Sequence, residues 1–175
     1  MKYLPTITDK TIFKNPQFGD HEKYSQRNTV KVIVKNSDGK IALVINDAHR
    51  LYTLPGGGAE SENLLKEISR ECIEEIGHDI VNVKELIRVK EIRNRHARQS
   101  ETVCFVADLG SKSKKDKRTE DEKNNNLRVE WLSSEEISSI FKKQIEMHEK
   151  EEVGFYNTAF NIYRDNAFWE EFLGN

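Results

Sequence analysis

The chain has 175 residues, with 28 lysines and arginines against 30 aspartates and glutamates and a formal net charge of −2. One ordinary domain with an extra helical segment accounts for that length, and the near-neutral balance excludes a global pull toward nucleic acid or an anionic membrane. The two cysteines, Cys72 and Cys104, sit inside apolar patterns, with no signal peptide or long apolar span, so a reduced cytoplasmic protein without a disulfide is expected.

Residues 1–26 mix Pro5, Pro16, Gly19 and polar residues with isolated Tyr3, Ile12, Phe13 and Phe18 and carry no long periodic pattern. They are expected to form an arm lying across the single domain of residues 27–175 or across a partner. The β-branched runs 29–34 and 41–45 flank Asn36, Ser37, Asp38 and Gly39, which predicts a hairpin. Residues 51–54 continue as a short strand into Pro55.

Residues 54–78 read LPGGGAESENLLKEISRECIEEIGH, a glycine-rich turn feeding a helix. Ser61 is the expected N-cap, Glu62 lies in the first turn where the helix dipole favours an anion, and Gly77 suits the position after the last turn. Leu65, Ile68, Cys72 and Ile76 recur at helical spacing and are expected to bury one face. On the other side Glu71, Glu74 and Glu75 fall within an arc of about 100°, with Glu67 one turn earlier. A charged helix face is most often simply solvated. Here, however, three mutually repelling carboxylates follow Gly56, Gly57 and Gly58, which let backbone approach a metal or phosphate closely. Oxygen-only ligands point to magnesium or manganese and away from zinc.

With Gly56, Glu62, Arg70, Glu71, Cys72, Glu74, Glu75, Gly77 and His78 in register, the stretch resembles the Nudix box, G x5 E x7 R E U x E E x G U, where U is aliphatic. Two positions depart from it. Cys72 and His78 stand where aliphatic residues are usual, and the turn GGGAESE is one residue shorter than in many members of the family.

Beyond the helix, residues 79–83 read as a link, 84–93 as a strand and 102–109 as another. Between them Arg93, Arg95, His96 and Arg98 either gather substrate phosphates or form a solvated hairpin tip. Residues 111–126 are a mixed-charge, low-complexity loop. The resemblance implies a further glutamate from this region that joins the metals or acts as base, with Glu120, Glu122 and Glu130 as candidates. Residues 129–132 read as a strand, and Ser133 with Glu136 forms a capping box for a helix to about Met147. Aromatic residues in 155–173 are better explained by core packing than by stacking on a base.

The resemblance implies an α/β fold, an α/β/α sandwich with a mixed sheet and extra C-terminal helices. It also implies metal-dependent hydrolysis of a pyrophosphate bond in a nucleoside diphosphate-linked substrate. In that reading Glu71, Glu74 and Arg70 are catalytic, and Glu71, Glu74, Glu75 and a Gly57 carbonyl hold Mg2+ or Mn2+. Arg93, Arg95 and Arg98 bind substrate. The competing class is a non-catalytic nucleotide-sensing module of the same fold, against which the intact carboxylate set argues. The expected partner is a small nucleotide-type molecule, with no membrane or nucleic-acid partner; a homodimer is compatible with the sequence.

Overall fold

The computed structural model describes residues 2–46, 51–113, 128–152 and 154–175. Strand β1 (Ile7–Thr8) and the short helix α1 (Asp9–Ile12) precede β2 (Ser25–Lys35) and β3 (Ile41–Asn46). The β2–β3 hairpin forms as its turn residues predict. Gly39 takes φ +77°, and the Asn36 side chain accepts the N–H groups of Asp38 and Lys40 at 3.0 and 2.9 Å. Next come β4 (Leu51–Thr53), helix α2 (Leu64–Glu75), β5 (His78–Arg93), a 3-10 turn (Asn94–His96) and β6 (Arg98–Lys112). Strand β7 (Arg128–Leu132) and helices α3 (Ser134–Glu149) and α4 (Tyr156–Leu173) complete the chain.

Residues 79–83 are part of β5 and not a link. The strand reaches back to His78 through register shifts, one of them around Asn82 at φ +55°, and its early residues Ile80 and Val83 pack into the core under α2. Strand β6 likewise exceeds its predicted span at both ends, because it pairs β5 on one side and β2 on the other.

The sheet runs β1-β5-β6-β2-β3-β4, with β7 also on β3. Strands β2 and β6 are parallel from Ser25 opposite Arg98 to Lys35 opposite Asp108, whereas β5 and β6 are antiparallel, so the sheet is mixed. Since β7 lines Ile41–Ile45, β2 and β4 share the other edge of β3; β2 pairs it only at Ile41 and β4 takes over at Val44. That leaves part of β2 without a strand neighbour, and the glycine turn fills the vacancy.

Alternation along the strands gives two cores. One face, with Ile33, Leu43, Ile87, Val89 and Cys104, packs on α3 and α4 through Ile137, Phe141, Phe160, Phe168 and Trp169. The opposite face, with Val30, Val32, Val34, Val103 and Phe105, packs on Ile68 and Cys72 of α2. Burial raises the thiol pKa of both cysteines, which behave as small hydrophobes.

Candidate active site

The turn after Pro55 docks on the open edge of β2. Val32 donates to Pro55 O at 3.0 Å, Val30 to Gly57 O at 2.9 Å, and Ala59 to Asn28 O at 2.9 Å. Each glycine has its own physical reason. Gly56 has φ +123°, and a Cβ there would meet Val30 O at 2.2 Å. Gly57 does not have a positive φ; its Cβ would instead strike the Glu71 carboxylate at 2.6 to 2.9 Å. At Gly58 it would strike the Arg27 guanidinium at 2.1 Å. Gly57→Val is therefore expected to displace Glu71 rather than strain the backbone. Misplacing a group by about 1 Å costs about 100-fold in rate, which steady-state kinetics beside a melting curve would read. Normal rates with a normal melt would make the turn a mere connector.

Helix α2 begins later than Ser61. Asn63 is the N-cap, its side chain accepting the Lys66 N–H at 3.1 Å. The apolar stripe is buried only at its middle: Ile68 and Cys72 are fully covered, while Leu65 is 55% exposed. On the acidic side Arg70 collects the carboxylates. It donates to Glu71 at 2.7 Å, to Glu74 at 2.6 Å, to Glu67 at 3.2 Å and to the Gly58 carbonyl at 3.3 Å. Burial lowers the arginine pKa, but these carboxylates more than offset that, and the net shift is upward.

Glu67 also anchors this arginine. Glu67 is buried, accepting from the Ser61 hydroxyl at 2.6 Å and the Glu60 N–H at 3.3 Å, which hold its carboxyl below the usual range. Glu62 is exposed. Glu62 lies ahead of the first helical residue, Leu64, whereas Glu67 is on the helix one turn before Arg70.

Glu75 accepts the Gly56 N–H at 2.7 Å, so Glu71 and Glu75 touch neighbouring glycines of one turn. Burial is the main cause of a raised Glu71 pKa, opposed by Arg70 and Lys31. Lys31 is buried on β2 and donates to Leu54 O at 2.7 Å and Gly56 O at 2.6 Å, fixing the start of the turn. Among the described residues no three His, Cys, Asp or Glu side chains converge as a finished metal cage. The donors are nevertheless hard oxygens grouped at a backbone turn, and the Gly57 carbonyl has a second lone pair beyond its bond to Val30, which suits an oxygen-seeking divalent cation.

Beside the turn lies a pocket of about 280 Å³ lined by cations and amides. Arg27, Thr29 and Lys31 alternate along β2, and Arg98 and Ser100 share the same face of β6. Helix α4 adds Asn157, Asn161 and Arg164 at one helical face. Arg93 donates to Glu91 at 2.7 Å and to Asn157 and Asn161 at 3.1 Å each, and its guanidinium lies 4.8 Å from the Phe160 ring centroid. Arg164 pairs with Asp165 at 2.9 Å and Glu91 at 3.5 Å.

The NUDIX domain family model matches residues 25–157. The chain belongs to the Nudix family. Its fold is similar to that of a NUDIX hydrolase from Nitrosomonas europaea, at 19% identity and TM-score 0.56 over 80% of this chain and 89% of that one. The MutT protein of Bacillus halodurans aligns at 16% identity and TM-score 0.54, over 70% of this chain and 80% of that one. The NUDIX domain of Shewanella oneidensis NrtR, solved with ADP ribose, aligns at 19% identity and TM-score 0.52, over 78% and 94% of the two chains. No curated protein sequence matches.

Within this Nudix fold the expected site residues separate. Arg70, Glu71, Glu74, Glu75 and Gly57 come together. Arg98 joins the basic pocket; Arg93 lines it but is buried and committed to Glu91. Arg95 does not line that pocket and faces Phe18 and Tyr156 instead, at 5.9 and 6.0 Å from their ring centroids. His96 sits edge-on to Tyr156 at 5.6 Å, its pKa lowered by burial and by Arg98, Arg95 and Arg93. Glu130 accepts from Tyr52 at 3.2 Å and Arg128 at 2.7 Å, on the sheet face away from α2. Glu120 and Glu122 lie outside the described residues. Arg27, Lys31 and Arg164 were missed, although the period-2 run Arg27, Thr29, Lys31 and the helical spacing Asn157, Asn161, Arg164 were signals for them.

Proposed function

We propose that this Nudix protein hydrolyses a pyrophosphate bond in a nucleoside diphosphate-linked substrate with Mg2+ or Mn2+. The observation that carries the reading is the junction of two opposite charge sets at one turn: Glu71 and Glu75 touch Gly57 and Gly56, and the cationic pocket opens on the other side of the same glycines. Glu71, Glu74, Glu75 and the Gly57 carbonyl would hold the cation. When bound, it neutralises phosphate charge and lowers the pKa of water.

Arg70 bridges Glu71 and Glu74 by charge-assisted hydrogen bonds and so fixes the spacing of the two carboxylates. Arg27 and Arg98, which face no acidic partner among the described residues, hold the phosphates. Water oxygen bonds to one phosphorus as the bridging P–O bond breaks. A carboxylate of the cluster takes the water's proton, and the leaving phosphate departs as the free anion. The three intact carboxylates favour this over a sensing module, which needs none of them.

The test is a panel of nucleoside triphosphates, ADP-ribose, sugar nucleotides and dinucleoside polyphosphates, with products identified in magnesium and in excess chelator. Magnesium-dependent cleavage of a phosphoanhydride bond is expected. Binding of a panel member without turnover would favour the sensing module.

Arg98→Ala is expected to raise KM about tenfold, the scale of one charge-assisted hydrogen bond of about 1.5 kcal/mol, with kcat changed little. That split marks ground-state binding, and it should shrink at high salt. An unchanged KM would remove Arg98 from the phosphate site.

A further inference from the structure

A second cleft, of about 300 Å³, lies between the N-terminal arm and the entry to α4, walled by Phe13, Phe18, Arg95, Phe155 and Tyr156. The Tyr156 ring is fixed. Its hydroxyl donates to Asp9 at 2.7 Å and accepts the Arg95 N–H at 3.3 Å, and Phe13 stacks on it at 5.5 Å with 14° between planes. Phe18 meets Tyr156 edge-on at 5.7 Å, and the Arg95 guanidinium lies close to both rings. Both Phe18, at 38%, and Phe155, at 59%, keep solvent-exposed surface.

This cleft adjoins the basic pocket. Arg93 and Asn157 line the basic pocket, while Arg95, two residues on, and Tyr156, the preceding residue, line the cleft. The basic pocket has no aromatic residue in its wall, and none of the residues outside the described set is Phe, Tyr or Trp. A ligand held there by its phosphates has no ring to stack on within the same pocket. The neighbouring cleft supplies planar faces, a guanidinium plane, and the amides of Asn15 and Gln17, which offer donors and acceptors to a base edge. Its volume is at the small end of ligand sites, enough for one ring system. Phe13 and Phe18 precede residue 25, where the family match begins, so this wall is a feature of the chain's own arm.

We propose that the cleft is the nucleobase subsite: the base stacks against Phe18 and Phe155 beside Arg95 while the phosphates lie in the basic pocket. It rests on the proposed phosphate role of that pocket, but not on turnover.

Calorimetric titration of the full chain with AMP, GMP, CMP and UMP against ribose 5-phosphate tests it without any hydrolysis. At least one nucleotide is expected to bind about tenfold more tightly than ribose 5-phosphate, the scale of stacking a base on an aromatic side chain. Phe18→Ala should bring the two within about twofold while leaving the ribose 5-phosphate affinity unchanged. If that variant does not fold, Phe155→Ala, at a more exposed position, reads the same ratio. Equal affinities in the wild type, no measurable binding of any nucleotide, or a preference that survives the folded variants would overturn the proposal. Loss of both affinities together would do so as well, leaving the aromatics as an anchor for the arm. An enzyme that cleaves pyrophosphates yet shows no base preference would confine the failure to this subsite.

Discussion

Glu75→Gln is expected to lower turnover by about 10²–10³-fold, the usual cost of removing one preorganised electrostatic group, while the melting temperature stays within a few degrees. The two effects separate because the amide is isosteric and keeps an oxygen to accept the Gly56 N–H that Glu75 accepts at 2.7 Å. What the variant loses is charge beside the glycine turn, where a divalent cation would need it. Initial rates over a magnesium titration, with a thermal melt of the same sample, provide the check. Wild-type activity at all magnesium concentrations would exclude Glu75 as a ligand.

Glu91→Ala should act on stability. Glu91 is 1% exposed and neutralises two buried arginines, Arg93 at 2.7 Å and Arg164 at 3.5 Å, while accepting the Thr102 hydroxyl at 2.9 Å. Removing one partner of a buried charge network costs about 3–5 kcal/mol, which for a chain of this size is roughly 6–20 °C in melting temperature. Burial opposes the Glu91 charge, but Arg164 and Arg93 prevail and hold the carboxyl below its usual value of 4.5. Its stabilisation is therefore complete above about pH 4.5 and is lost as pH falls through the depressed folded value. Chemical denaturation from pH 7 to 3 should show a wild-type advantage at neutral pH that narrows in acid. A constant gap, or none, would show that the network does not stabilise the fold through this charge.

The local signals in the sequence were sound wherever one element decided the outcome. Gly77 does take φ +76° just past α2, the Asn36–Gly39 turn closes its hairpin, and Ser133 with Glu136 caps α3. Errors came where a neighbour decided. Ser61 has the chemistry of an N-cap, but Asn63 takes that place, and the Ser61 hydroxyl donates to Glu67 instead. Leu65 is in phase with the buried stripe, yet phase says nothing about how far along the helix the sheet extends.

The site shows the same division. A local repeat of carboxylates behind a glycine turn was visible because every member lies between Gly56 and Glu75. The basic pocket draws on β2, β5, β6 and α4, and only the parallel pairing of β2 with β6 puts Arg27 beside Ser100. Arg93 and Arg95 looked alike in a basic stretch, but one is buried on Glu91 and the other is exposed beside Phe18 and Tyr156. Charge in sequence does not distinguish a structural guanidinium from one available to a ligand.

The most direct test of pyrophosphate hydrolysis at this carboxylate turn follows the products by phosphorus NMR in ¹⁸O-labelled water, for wild type and Glu75→Gln side by side. Cleavage of one phosphoanhydride bond that requires magnesium is expected, with a single labelled oxygen on one phosphate product and near-complete loss of the signal in the variant. Intact substrates across the panel, or label release that persists in chelator or in Glu75→Gln, would contradict it.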